Sequence, residues 1–310
     1  MTNDVKCLKL ATKQWGVIRR DQALKWLSPQ QLQRRLDGGA WVSVMPCVYR
    51  VEGAPPSWMQ DLKAIALWAG RGFAFSHQTA AALHGFRRYP EGPKVVSVSR
   101  HLAAPSNVTL VRVKKLKSTD VEVVKGLKAT KVMRTLVDLA AVAPQKDVRA
   151  ASDEALSRQW ITVDDFATAV GKVESARGIA FLRTLVGEYQ GGDGPCESEL
   201  ESVLFELLDA AELPRPVRQR VVKSGGRVRR TDFLFEDYGV VVEADSFAYH
   251  SSPTAFEKDR ERYNSLTARN FRVLQWTWKA IQERPDELLS ELAAVLASRV
   301  SWKHRQAKIS

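Results

Sequence analysis

Asp232, Glu243 and Asp245 are the residues whose types and spacing first suggest chemistry. They lie in Arg227 to His250, R-V-R-R-T-D-F-L-F-E-D-Y-G-V-V-V-E-A-D-S-F-A-Y-H. There, two runs rich in β-branched and aromatic residues flank the turn signal Asp237-Tyr238-Gly239, so a β-hairpin is expected. A loop of two or four residues brings Asp232 opposite Glu243 or Asp245, whereas a one-residue slip sends it to the other face. Glu243 and Asp245 are two apart and share a face. Three carboxylates then crowd a strand that begins Val240-Val241-Val242 and must be mostly buried. Like charges facing across strands repel, and an unpaired buried carboxylate costs roughly several kcal/mol. A positive partner is needed. A divalent cation is one answer, since Mg²⁺ takes few carboxylates and keeps waters that it can activate. The other is that Arg229, Arg230, Arg260 or Arg262 neutralises the patch and no chemistry follows.

Several elements must position these acids. Gln190-Gly191-Gly192-Asp193-Gly194-Pro195 reads as a linker and marks a domain boundary. After it Ser198 caps a helix with Leu200, Leu204, Leu207, Leu208 and Ala211 on its buried stripe. Glu199 and Glu201 in its first turn suit the helix dipole. Leu213-Pro214-Arg215-Pro216 breaks that helix, Val217 to Val222 reads as a strand, and Gly225-Gly226 turns the chain into the hairpin. A charged helix over Phe256 to Asn270, a strand over Phe271 to Trp278 and a helix over Pro285 to Leu296 come next. Trp276 and Trp278 alternate with Thr277 on that strand and read as core.

The chain has 310 residues, enough for more than one domain. Its 45% hydrophobic and 26% charged residues fit a folded, water-soluble protein, and the net charge of +12 points to a polyanionic partner, nucleic acid first. Cys7, Cys47 and Cys196 are odd in number and widely spaced, as reduced cytoplasmic thiols are. No run has the apolar length of a membrane span and the N-terminus lacks a signal-peptide pattern, so a cytoplasmic location is expected.

At the other end, helical spacing near Asp4 to Gln14, a short helix opening at Asp21 and Ser28-Pro29-Gln30-Gln31 as the start of a third helix precede W-V-S-V-M-P-C-V-Y-R-V, two short strands around Met45-Pro46. Three short helices and a β-ribbon are the order of a winged helix-turn-helix. With Leu32 and Leu36 inward, the third helix exposes Gln30, Gln31, Gln33, Arg34 and Arg35, side chains able to read base edges or hold phosphate. Phe75-Ser76-His77-Gln78-Thr79-Ala80-Ala81-Ala82-Leu83-His84-Gly85 and Arg134-Thr135-Leu136-Val137-Asp138-Leu139-Ala140, together with the ribbon, resemble signatures of the AbiEi-type antitoxin family over roughly residues 5–145. That resemblance implies a DNA-binding head, a small α/β module and repression of a toxin operon, with a cognate toxin protein as a further possible partner. The family usually has Gly where this chain has Cys47. His77 and His84 fall on one helix face, but without a third ligand they read as local packing under a Ser76 cap.

Between these ends, Val95 to Val98, Thr109 to Val113 and Val121 to Val124 read as strands and Val132 to Val142 as a helix; Lys114, Lys115 and Lys117 form a basic loop. Helical spacing recurs over Val148 to Arg158, Val163 to Val173 and Gly178 to Glu188. The expected division is residues 1–55 winged helix, 56–145 α/β module, 146–190 helical connector and 191–310 a nuclease-like domain. S-E-L-E, T-D-F-L-F, V-V-V-E-A-D, Tyr249-His250, K-D-R-E-R-Y and F-R-V-L-Q-W-T resemble the very-short-patch-repair-like (Vsr-like) branch of the PD-(D/E)xK endonucleases over roughly residues 196–298. This implies a restriction-endonuclease-like α/β fold with a central mixed sheet, and Mg²⁺- or Mn²⁺-dependent hydrolysis of DNA in repair or defence. By the resemblance Asp232, Glu243 and the Ala244 carbonyl would hold the metal, and Glu201, less so Glu199, would complete the site. Asp245 stands where the wider superfamily has its lysine, and Ser246 stands where the branch usually has Gly. His250 would assist the attacking water or steady transition-state charge, with Asp259 and Arg262 nearby or on phosphate. The alternative is a regulator whose tail keeps the fold without turnover.

Overall fold

A computed structural model of the chain describes residues 2–224, 227–245, 261, 263–300 and 302. His250, Asp259, Arg260, Arg262 and the Gly225-Gly226 turn lie outside the described residues. The protein is mixed α/β, in two separately packed units, Met1–Val142 and Ala143–Ser310.

The first unit opens with α1 (Asn3–Thr12), β1 (Val17–Arg19), α2 (Arg20–Ala23), α3 (Pro29–Asp37), β2 (Trp41–Met45) and β3 (Val48–Val51). Ser28 caps α3 through a reciprocal box with Gln31, and Pro29 sits at N1, where its missing N–H costs nothing. The strands form an antiparallel sheet in the order β1-β3-β2 over a core that includes Cys7, Ile18, Leu32, Trp41 and Tyr49. Strand β1 escapes a periodicity reading because three residues carry too little pattern. Cys47, with φ of 59°, occupies the left-handed region in the β2–β3 turn, which accounts for glycine's suitability there.

The rest of this unit is a five-stranded mixed sheet, β6-β5-β4-β8-β7, built from β4 (Phe73–Phe75), β5 (Val95–Val98), β6 (Thr109–Arg112), β7 (Val121–Val124) and β8 (Leu127–Thr130). Helix α4 (Trp58–Ala69) contributes Leu62, Ala64 and Ile65 to its core, and α5 (His77–His84) and α6 (Val132–Ala140) pack on each other. Ser76 makes no capping bond. Its hydroxyl is taken by His77 Nδ1 at 2.9 Å and by Ser97 Oγ at 2.8 Å, while His84 Nε2 bonds the Thr130 carbonyl at 2.8 Å.

The second unit begins with α7 (Gln145–Ser157), α8 (Val163–Gly171) and α9 (Ile179–Gln190). The helices expected as a connector share the unit Ala143–Ser310 with the residues that follow them. They belong with the C-terminal residues because Arg218 reaches back into them. Arg218 is fully buried and donates to both oxygens of Asp153 on α7 at 3.0 and 3.1 Å, stacked 4.7 Å from the Phe205 ring centroid.

Helix α10 (Glu199–Ala210) then covers a mixed sheet of order β14-β13-β12-β9, formed by β9 (Val217–Arg218), β12 (Phe233–Phe235), β13 (Val240–Asp245) and β14 (Arg272–Thr277). Strands β13 and β14 are parallel and the other pairs antiparallel. The expected strand over Val217 to Val222 is interrupted at Gln219, whose φ is 52°. Beyond it β10 (Val221–Ser224) pairs only with β11 (Arg227–Arg230). Helices α11 (Trp278–Glu283) and α12 (Pro285–Ser298) close the core through Ile281, Leu288 and Leu292. Trp276 is buried as expected. Trp278 is not: it begins α11 and is 47% exposed, because the strand ends at Thr277, whose hydroxyl caps the helix.

Candidate active site and nucleic-acid face

The β12–β13 register decides where the acids stand. Phe235 pairs with Val240 and Phe233 with Val242, so a four-residue loop closes the hairpin and the ladder ends one residue short of Asp232 and Glu243. By alternation along β13 Glu243 lies on the face of Leu234, Val241 and Val273, opposite the α10 side of the sheet. Asp245 comes next on the same face, alongside Thr277 of β14. Glu243 is 7% exposed; Asp232 and Asp245 are half-buried. Asp232 Oδ2 accepts the Ala244 N–H at 2.9 Å. A strand residue's N–H and carbonyl point toward the same neighbour, so the Ala244 carbonyl also faces the Asp232 side.

Glu201 approaches from the first turn of α10. The Glu197 N–H and the Gln219 side-chain amide donate to its Oε2 at 2.8 and 2.7 Å, and the Ser198 hydroxyl donates to its Oε1 at 2.9 Å. Its carboxyl is nevertheless pushed above the usual range, first by burial and then by the charge of Asp232. Arg230, a candidate neutraliser, pairs with Glu197 at 2.5 Å. Arg229 is half-buried, with a buried Nε that has no hydrogen-bond partner among the described residues.

Among the described residues no group of three His, Cys, Asp or Glu side chains is set to hold a metal. The oxygen donors nearest to one another along the chain and the ladder are Asp232, Glu243 and the Ala244 carbonyl, with Asp232 tied to Ala244 through its N–H. That set suits a hard cation of the Mg²⁺ type, which uses one or two carboxylates and fills its remaining positions with water and phosphate. The role expected of His250 falls on a residue outside the described ones.

Inspection of the sequence did not single out Arg218 and Gln219. Their signal is faint, two polar residues inside the strand-like run V-R-Q-R-V-V. Burial opposes the Arg218 charge, but Asp153, Tyr189, Cys196 and Asp193 outweigh it and hold the guanidinium above its ordinary pKa. Burial raises the Asp153 carboxyl, against the lowering effect of Arg218 and the Tyr189 hydroxyl bond.

In the first unit the five candidate nucleic-acid residues divide. Gln31 is committed to the Ser28 capping box, Gln33 bonds Asp37 at 2.7 Å, and Arg35 is held by Asp4 at 2.5 Å and the Gln31 carbonyl at 2.6 Å. Gln30 and Arg34 are exposed on α3. Residues 1–142 carry 23 Lys and Arg against 9 Asp and Glu, and residues 143–310 carry 24 against 26, so the basic excess lies wholly in the first unit.

No family model matches the chain. It is 25% identical over 273 residues to two uncharacterized proteins of Mycobacterium tuberculosis, MT2308 and Rv2248. The match covers 86% of this chain and 96% of each relative. An alignment of that length is longer than either unit, so it takes in parts of both. No helix among the described residues is long and apolar enough to cross a membrane.

Proposed function

We propose that the protein binds DNA through a winged helix-turn-helix head and hydrolyses DNA phosphodiester bonds in a metal-dependent, Vsr-like PD-(D/E)xK domain. The observation that carries the reading is that Asp232, one residue before the Phe233–Val242 pair, bonds the Ala244 N–H next to the buried Glu243, near a Glu201 raised by burial and then by the charge of Asp232. Asp232, Glu243 and the Ala244 carbonyl would hold Mg²⁺ or Mn²⁺, which when bound polarises a phosphate and lowers the pKa of its water. Glu201, fixed by three donors, orients that water or stays as a charged wall. In the head, Arg34 and Gln30 contact the groove and the surrounding basic surface holds phosphate. The location would be the cytoplasm and the setting repair or defence.

One observation favours a second reading, a non-catalytic regulator or antitoxin that binds an operator and a cognate toxin. The carboxylates of Asp232 and Glu201 already accept internal hydrogen bonds, as acids with only a structural task do. The test is incubation of supercoiled, mismatched and branched DNA with Mg²⁺ or Mn²⁺ and the wild type, Asp232→Ala or Glu243→Ala. Metal-dependent nicking by the wild type and its loss in both variants supports the nuclease. No cutting of any substrate, combined with tight sequence-specific duplex binding, supports the regulator.

A further inference from the structure

Gln219 stands out because it is strained, buried and tied to both sides of the acid site. It is 9% exposed and holds a φ of 52°, a conformation that non-glycine residues adopt at a cost. That geometry breaks β9 from β10 and directs the side-chain amide to Glu201 Oε2 at 2.7 Å, while the Gln219 backbone N–H donates to the Asp232 carbonyl at 2.9 Å. One residue thus spans the helix acid and the strand acid. Its position is itself fixed. Gly194 leaves no room for a side chain there, since a Cβ would stand 2.4 Å from the Gln219 Cβ. The neighbouring Arg218 is locked by Asp153 through its guanidinium and by Asp193 Oδ1, 3.0 Å from its backbone N–H.

We propose that Gln219 is a positioning residue that holds the Glu201 carboxylate against the Asp232–Glu243 pair, with Arg218 and Asp153 anchoring it to the helical segment. This rests on the nuclease reading for its consequence, though not for its geometry. The left-handed backbone supplies clean variants. Gly adopts it freely, and Asn tolerates it while its amide falls one methylene short of Glu201. Gln219→Gly and Gln219→Asn therefore keep the fold and remove the donor.

The test uses the full chain and two readouts. The Glu197 amide, which donates to the same Glu201 oxygen, reports the carboxylate position by hydrogen exchange and ¹⁵N–¹H shift. Mn²⁺-dependent cleavage reports kcat and KM separately. Both variants should keep the wild-type thermal midpoint or exceed it, exchange the Glu197 amide at least tenfold faster, and lose at least tenfold in kcat at unchanged KM. Wild-type exchange or wild-type kcat in the variants overturns the proposal. A wild type that does not cut removes the nuclease reading instead and leaves the amide readout to decide what Gln219 positions.

Discussion

Replacing Asp153 with Ala tests how the second unit is held together. The mutation strips the fully buried Arg218 of the carboxylate that takes two of its hydrogen bonds. Glu188 and Asp193 stand at 3.6 and 3.7 Å, too far for a hydrogen bond, and two other arginines already hold Glu188. Breaking a buried pair by removing one partner costs about 3–5 kcal/mol, a large part of the ~5–15 kcal/mol that stabilises a typical domain. With a urea m-value of about 2–3 kcal/mol/M, the midpoint of the second unit should fall by about 1–2.5 M. The assay is urea unfolding of a variant that keeps only Trp276, which is buried in this unit's core, followed by its fluorescence. Asp153→Leu combined with Arg218→Met replaces both charges by apolar groups and should recover most of the loss. A loss under 1 kcal/mol in Asp153→Ala would refute the argument that this ion pair joins the α7–α9 segment to the sheet.

The same structure sets four more outcomes. Gly239→Ala places a Cβ 2.2 Å from the Trp302 ring at a φ of 60°, so it should destabilise by about 2–4 kcal/mol in chemical denaturation and depress any cleavage, since this turn sets the register of Asp232 with Glu243. Cys47→Gly should leave the thermal midpoint unchanged or raised, whereas Cys47→Val should cost about 1–2 kcal/mol at the same left-handed position. Burial lowers the His77 pKa, so between the ordinary histidine value and that lower one the unfolded chain binds the extra proton and stability falls on acidification; His77→Asn should flatten that slope in melts taken from about pH 7 to 5. Arg34→Ala should weaken duplex binding by about 1–3 kcal/mol in a fluorescence titration, while Arg35→Ala, whose guanidinium is bound to Asp4, should weaken it less.

Local patterns are readable in the sequence and long-range ties are not. The Ser28-Pro29 start of α3, the alternation in the two hairpin runs and the leucine stripe of α10 each carry their structure within about ten residues. Hence the hairpin is legible up to the loop length, which four residues between Phe235 and Val240 settle. A glycine-rich segment reads as a linker, and no local pattern shows that Asp193 within it accepts the backbone N–H of a buried arginine 25 residues later. Gln219 goes unseen for a related reason. A single left-handed residue leaves no periodic trace, and its partner Glu201 lies 18 positions away. Trp278 reads as part of the strand because nothing in F-R-V-L-Q-W-T-W shows that Thr277 turns from strand residue to helix cap.

The central claim is that Asp232 and Glu243 share a cation, and anomalous diffraction from crystals soaked with Mn²⁺ tests it most directly. The account predicts one peak about 2.0–2.3 Å from an oxygen of each carboxylate and from the Ala244 carbonyl, lost in Asp232→Ala. Density that shows no ion there at millimolar Mn²⁺, with Asp232 still bonded to the Ala244 N–H, would contradict it.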